Sequence, residues 1–237
     1  MSHLGMFAKY WQAGRVKTRL AAELGDVLAA DLYLVFLEHL ISNLQHCCDQ
    51  RTLVFSPSEA GDRFHSKFGD TWAYRPQSDG DLGDRLADFF RWSSCPTGSR
   101  SKVLVIGSDT PHLSPELIAR AEQQLDQCPV VLGPSQDGGY YLLGLDLQSI
   151  PSDLDLFREM PWSTDQVWSE TVSRLDRCNL SYTRLPEMID VDNLRGLEKL
   201  LRDLEQSNNP QDECLRRDLG SLFSRARQGG QVERRES

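Results

Sequence analysis

Two hydrophobic periods alternate along this chain, and that alternation limits the fold more than any other feature. Short runs suited to strands occur at residues 4–8, 52–56, 102–107, 130–133 and 140–145. Between them lie stretches with helical spacing. From 27 to 44, Leu28, Leu32, Val35, Phe36, Leu40 and Leu44 recur every three or four residues, which marks one buried helical face. Residues 82–92 repeat the pattern with Leu82, Leu86, Phe89 and Phe90. Ser114-Pro115 reads as an N-cap followed by proline at the first helical position, opening a helix to 125. Ser163 with Gln166 resembles a capping box opening 164–177, and 193–204 is a further amphipathic helix. Strands alternating with helices imply βαβ units and a mostly parallel sheet. Residues 140–145 follow a Gly-Gly turn close to 130–133, so an antiparallel element is expected there.

Length and charge bound the function. A chain of 237 residues suits one large α/β domain, or at most two small ones. With 35 acidic and 26 basic residues, the net charge of −9 argues against nonspecific nucleic-acid or anionic-membrane binding. No apolar run approaches the roughly 18 residues of a membrane span, and the N-terminus lacks the pattern of a signal peptide. Cys47, Cys48, Cys95, Cys128, Cys178 and Cys214 form no C-x-x-C pair and lie at no zinc-site spacing from histidine, the usage of reduced thiols in a cytoplasmic protein. After about Gln206 the composition turns polar and arginine-rich. Residues 1–206 are therefore read as the domain and 207–237 as an extension, with one short docked helix around Leu215, Leu219, Leu222 and Phe223 and disorder from Gln228. Its acids nearly cancel its arginines, which argues against a nucleic-acid tail.

In an open parallel sheet, ligands bind beyond the carboxyl ends of strands. After the first strand come Gly14, Arg15, Lys17 and Arg19, one glycine and three bases within six residues. Glycine permits close backbone approach to an anion and the bases add charge-assisted bonds, so phosphate binding is expected. After the run at 102–107 stands Asp109, either a ligand for a hard divalent cation or a turn aspartate. Asp137 precedes Gly138 and Gly139, a carboxylate able to accept ligand hydroxyls or a hairpin turn. Asp190 and Asp192 lie two apart before a helix and, if extended, share a face that suits a metal. Asp192 or Asn193 could instead cap the helix; of the two aspartates Asp192, next to the helix start, is the better placed to do so, which leaves Asp190 freer to face a cleft. Asp81 and Gly83, in the loop Asp79-Gly80-Asp81-Leu82-Gly83-Asp84-Arg85, border a base or sugar pocket or cap a helix.

These blocks occur in a familiar order: G-R-V-K-T-R-L, G-D-L-G-D-R-L, V-I-G-S-D-T-P-H-L, V-L-G-P-S-Q-D-G-G-Y-Y-L-L-G-L, P-W-S-T and L-P-E-M-I-D-V-D-N. From about Leu4 to Leu204 the chain resembles the bacterial DUF2064 family, a GT-A-like family associated with arsenosugar biosynthesis. It is more distantly similar to the guanylyltransferases that activate phospholactate and molybdopterin. The resemblance implies a three-layer α/β/α GT-A-like fold and a nucleotide or nucleotide-sugar substrate. By resemblance, Gly14, Arg15, Lys17 and Arg19 embrace the phosphates, while Asp109 with Asp190 or Asp192 holds a divalent cation, Mg or Mn. Asp137, Gly138 and Gly139 face the donor sugar or acceptor. Trp11 and Ala13 stand where family members commonly carry prolines, so this loop is less stiff. The leading expectation is a metal-dependent glycosyltransferase in which Asp137 is the candidate base. The alternatives are a nucleotidylyltransferase acting on a phosphorylated small molecule and a catalytically silent nucleotide-binding module.

Overall fold

The computed structural model describes residues 1–94, 102–151 and 155–233. Strands β1 (Ser2–Lys9), β2 (Gln50–Ser56), β3 (Ala73–Pro76), β4 (Lys102–Ile106), β5 (Val130–Pro134), β6 (Tyr140–Asp146) and β7 (Tyr182–Arg184) form one sheet, ordered β3-β2-β1-β4-β6-β5-β7. All neighbours pair in parallel except at β6, which is antiparallel to both β4 and β5. The helices are α1 (Thr18–Leu24), α2 (Asp26–Asn43), α3 (Gly61–Phe68), α4 (Leu82–Ser93), α5 (Pro115–Gln124), α6 (Val167–Arg177), α7 (Leu194–Gln206) and α8 (Pro210–Glu233). They cover both faces, giving the expected three-layer α/β/α architecture.

The strands are apolar on both sides because both sides are covered. On β1, Leu4, Met6 and Ala8 join Leu37, Leu40 and Ile118 in one core. Phe7 turns to the other face and packs with Leu86 and Phe89 of α4. Gly5 sits between them, and a Cβ there would lie 2.4 Å from the Phe89 ring. Only glycine lets α4 lie this close to the central strand. A third cluster joins Phe36 of α2 to Leu197, Leu200 and Leu204 of α7 and to Leu215, Leu219 and Leu222 of α8.

Local chemistry sets several helix starts. The Asp81 side chain accepts from the Asp84 N–H while Asp84 accepts from the Asp81 N–H, a capping box that opens α4. Ser114 caps α5 with Pro115 at its first position. The region around Ser163 differs from expectation. Ser163 adopts φ 64, Thr164 forms a turn with Pro161, and α6 begins only at Val167. Helix α8 is longer than the short docked segment expected, running to Glu233, because Leu215, Leu219 and Leu222 keep one face on α2 and α7. The short edge strands β3 and β7 and helix α3 have no counterpart in the hydrophobic pattern. Cys47, Cys48, Cys128, Cys178 and Cys214 are free thiols, and Cys95 lies outside the described residues. No helix among the described residues is long and apolar enough to cross a membrane.

His3 gives the fold a pH dependence. It is buried against Phe89 and Trp92 with Nε2 bonded to the Thr52 hydroxyl at 2.8 Å, and burial pushes its pKa down from 6.5 to about 4. Below pH 6.5 the unfolded chain takes up a proton that the folded chain refuses, so stability present above 6.5 is lost as pH falls toward 4. The full effect is on the order of 3 kcal/mol. Melting curves from pH 7 to 4 are expected to show a shallower decline for His3→Gln than for the wild type. Parallel curves would remove His3 from the acid limb.

Candidate functional site

The loop after β1, the loop after β4 and the segment before α7 converge on one ammonium group. Lys17 occupies the N-cap position of α1 in the left-handed region (φ 48, ψ 43), uncommon for a residue with a side chain. Its side chain is 2% exposed, and Nζ donates to Asp109 Oδ1 at 2.5 Å and Asp192 Oδ1 at 3.0 Å. Burial alone would depress the lysine pKa. The two carboxylates outweigh it and hold the ammonium charged. The Tyr33 and Phe36 rings of α2 flank Nζ, with centroids 5.7 and 5.8 Å away.

Tyr33 fixes the surrounding loops. Its hydroxyl accepts from the Lys9 N–H at the end of β1 and bonds the Ser108 hydroxyl at 2.7 Å. Burial, with Asp109 adding to it, pushes the phenol up to about 12, so Tyr33 stays neutral. The Val191 N–H donates to the Asp109 carbonyl at 2.8 Å, which ties the two acidic segments by main chain.

The three acids expected to share a cation are not equivalent. Asp109 and Asp192 remain 45% and 40% exposed toward the cleft. Asp190 accepts from the Thr110 hydroxyl at 2.6 Å. Burial pushes it up to about 6, with Asp109, Asp137 and Asp192 adding repulsion against the opposing Thr110 bond. The expected division between Asp190 and Asp192 does not hold, because both line the cleft and neither caps α7. Asn193, not Asp192, caps α7 by accepting from the Gly196 N–H at 2.9 Å, which frees Asp192 for Lys17. No group of three metal-ligating side chains is present among the described residues. Two carboxylates whose oxygens meet at one point still fit a hard divalent ion that completes its shell with phosphate oxygens and water. In this structure the Lys17 ammonium takes that point.

These groups line a cleft of about 560 Å³ over the carboxyl ends of the parallel strands. Of the expected phosphate loop, Lys17 and Arg19 reach the lining, whereas Gly14 and Arg15 are exposed outside it. Asp137 and Gly139 line the cleft, but Gly138 does not. Gly138 adopts φ 91 with its Cα face against the backbone of Asp165. Asp137 Oδ1 is held by the Ser135 hydroxyl at 2.5 Å and the Gly139 N–H at 3.0 Å. Asp81 and Gly83 stay outside the lining as well. Asp81 spends its carboxylate on the helix cap, and Gly83 packs against Phe157 and Trp162. Their neighbours Leu82, Arg85 and Leu86 line the cleft instead, with Gln77. Among the tryptophans, Trp162 lines the cleft, while Trp11 packs on Phe64 and Phe68 and Trp168 on Tyr182. His39 is buried on α2, away from the cleft.

Residues 40–164 match the family model described as "Uncharacterized protein conserved in bacteria (DUF2064)". The chain belongs to the DUF2064 family. Among solved structures, this DUF2064 chain is similar to a protein from Desulfovibrio desulfuricans G20 described as a candidate nucleotide-diphospho-sugar transferase. The two share 28% identity over 94% of this chain and 97% of that one, with a TM-score of 0.83. It also resembles a nucleotidyl transferase from Methanothermobacter (16% identity, 88% and 99% covered, TM-score 0.56). A 4-diphosphocytidyl-2C-methyl-D-erythritol synthase from Anaerococcus prevotii is similar at 14% identity, with 87% and 96% covered and a TM-score of 0.56. The last two likenesses are of fold, the nucleotide-diphospho-sugar transferase type. No curated protein matches the chain.

The capping geometry yields a test. Asn193→Ala is expected to lower stability by about 1 kcal/mol, the usual scale of a lost N-cap. Asn193→Asp keeps an acceptor at the cap and is expected to melt close to the wild type and above Asn193→Ala. Equal melting temperatures for Asn193→Ala and the wild type would remove the capping role from Asn193.

Proposed function

We propose that the cleft binds a nucleotide-diphospho-sugar and transfers its glycosyl group to an acceptor hydroxyl. The observation that carries this reading is the convergence of Lys17, Asp109 and Asp192 at the strand ends, in a cleft whose lining also bears Ser135, Asp137, Ser163 and Thr164. The likeness to the Desulfovibrio protein supports it. Lys17 and Arg19 neutralise the diphosphate, and Thr18 adds a hydroxyl beside them. Asp109 and Asp192 are the residues that would hold magnesium or manganese. Such an ion, when bound, acts as a Lewis acid on the diphosphate oxygens.

The acceptor oxygen forms the new bond to the anomeric carbon as the bond to the diphosphate oxygen breaks. The electron pair leaves with the diphosphate, where Lys17 and Arg19 stabilise the developing charge. Asp137 has one oxygen fixed by Ser135 and Gly139, and its other oxygen takes the acceptor proton. Product analysis with a panel of sugar nucleotides, acceptors and Mn²⁺ tests the reading. Release of nucleoside diphosphate is the expected result. Pyrophosphate release from nucleoside triphosphates would replace glycosyl with nucleotidyl transfer, and no turnover with either set would leave a binding module.

The lysine contact makes a further outcome specific to this site. Lys17 competes for the carboxylate oxygens that a divalent ion needs. Lys17→Met is therefore expected to bind Mn²⁺ alone about tenfold or more tightly than the wild type, while losing about 1.5–3 kcal/mol of nucleoside-diphosphate binding, the scale of hydrogen bonds to charged groups. Mn²⁺ titration followed by electron paramagnetic resonance measures the first and calorimetry the second. Unchanged Mn²⁺ affinity in Lys17→Met would remove Asp109 and Asp192 from the cation site.

A further inference from the structure

We propose that Arg85 selects the nucleobase, and that the cleft takes nucleotides with a carbonyl at the 6-position of a purine or the 4-position of a pyrimidine over those with an amine there. This rests on the nucleotide reading above.

The lining is mixed in chemistry. Ser135, Asp137, Ser163 and Thr164 are groups suited to a polyhydroxylated sugar or acceptor. Phe7, Leu86 and Val105, packed in one cluster from β1, α4 and β4, give with Leu82 an apolar trough. Leu82 is 43% exposed, among the few large apolar side chains left open to solvent. A flat ring is the part of a nucleotide that gains from this surface.

Beside the trough lies a polar pair whose geometry is fixed from below. Gln77 Nε2 donates to the Ala8 carbonyl at 3.3 Å and the Val54 carbonyl at 2.9 Å, main-chain groups of β1 and β2. Its amide is thereby oriented with Oε1 outward, where it accepts from Arg85 Nη1 at 3.0 Å. Arg85 Nε donates to the Gly80 carbonyl at 3.1 Å. The two anchors fix the plane of the guanidinium through Nε and Nη1. Nη2 has no protein acceptor among the described residues and is the donor left for a ligand. The Gln77 amide nitrogen is spent on two carbonyls and its oxygen already accepts from Arg85, so the charged Nη2 donor is the strongest group these side chains offer a ligand. A carbonyl satisfies that donor, whereas an exocyclic amine sets donor against donor. The arginine is always charged, so a mismatched amine cannot be relieved by proton loss.

Calorimetry with GDP, IDP, UDP, ADP, CDP and pyrophosphate, each with Mg²⁺, tests the assignment. In the wild type, GDP, IDP and UDP are expected to bind at least tenfold more tightly than ADP and CDP. IDP should match GDP, because it keeps the 6-carbonyl and lacks the 2-amine. In Arg85→Met the gap should close through weaker GDP, IDP and UDP binding, with pyrophosphate affinity unchanged as proof of an intact phosphate site. Gln77→Ala, which frees the guanidinium without removing it, should narrow the gap. If nucleotides and pyrophosphate bind but ADP equals or exceeds GDP and UDP, the base assignment is overturned and the nucleotide reading stands. The assignment also falls if Arg85→Met and Gln77→Ala both keep the wild-type ratio. If neither nucleotides nor pyrophosphate bind the wild type, both proposals fall together.

Discussion

A single buried ammonium holds this cleft together. Lys17, Asp109 and Asp192 come from segments far apart in the chain, and each follows or precedes a different element of the fold. Removing either carboxylate would leave a desolvated charge with half its partners, a costly arrangement in a low-dielectric setting. The packing around it reflects that constraint. Two aromatic rings of α2 exclude water from one side, Tyr33 pins the ends of β1 and β4, and a main-chain bond joins Asp109 to Val191. The carboxylates are left open on the side that faces the cleft, so the same contact that orders the loops exposes the polar surface.

The sequence made the central architecture legible because burial on both faces leaves a strong signal. The apolar runs of β1, β2, β4, β5 and β6, and the periodic faces of α2, α4 and α7, follow from which residues must leave water. The edge strands β3 and β7 are short and half exposed, with no alternation long enough to detect. Ser163 shows the limit of motif spacing, since a serine in the left-handed region cannot serve as the cap that its position relative to Gln166 suggests. At the cleft, acidic and basic residues at strand ends were visible, but their pairing was not. Asp192 and Asn193 are adjacent polar residues before a helix, and only backbone geometry decides that Asn193 turns to Gly196 while Asp192 turns to Lys17. Tyr33 was invisible as a site residue because it sits within the regular apolar face of a long helix. Arg85 and Gln77 lacked any signal stronger than membership of a polar loop. Their arrangement depends on carbonyls of β1 and β2 that approach only in the folded chain.

The one reversed strand divides the labour of the cleft. Because β6 is antiparallel to β4, the segment 135–139 that precedes it emerges at the same edge as the carboxyl ends of the parallel strands. That segment is the tip of a hairpin, and its backbone ties reach chiefly to Met188 and Trp168 rather than into the parallel half of the sheet. The lysine and its carboxylates lie on the other connections, where a shift of register would break buried pairing. The fold thus sets a half held by buried charge beside a half held by main-chain bonds, so a change of length at the turn would displace Asp137 and leave the lysine cluster where it is.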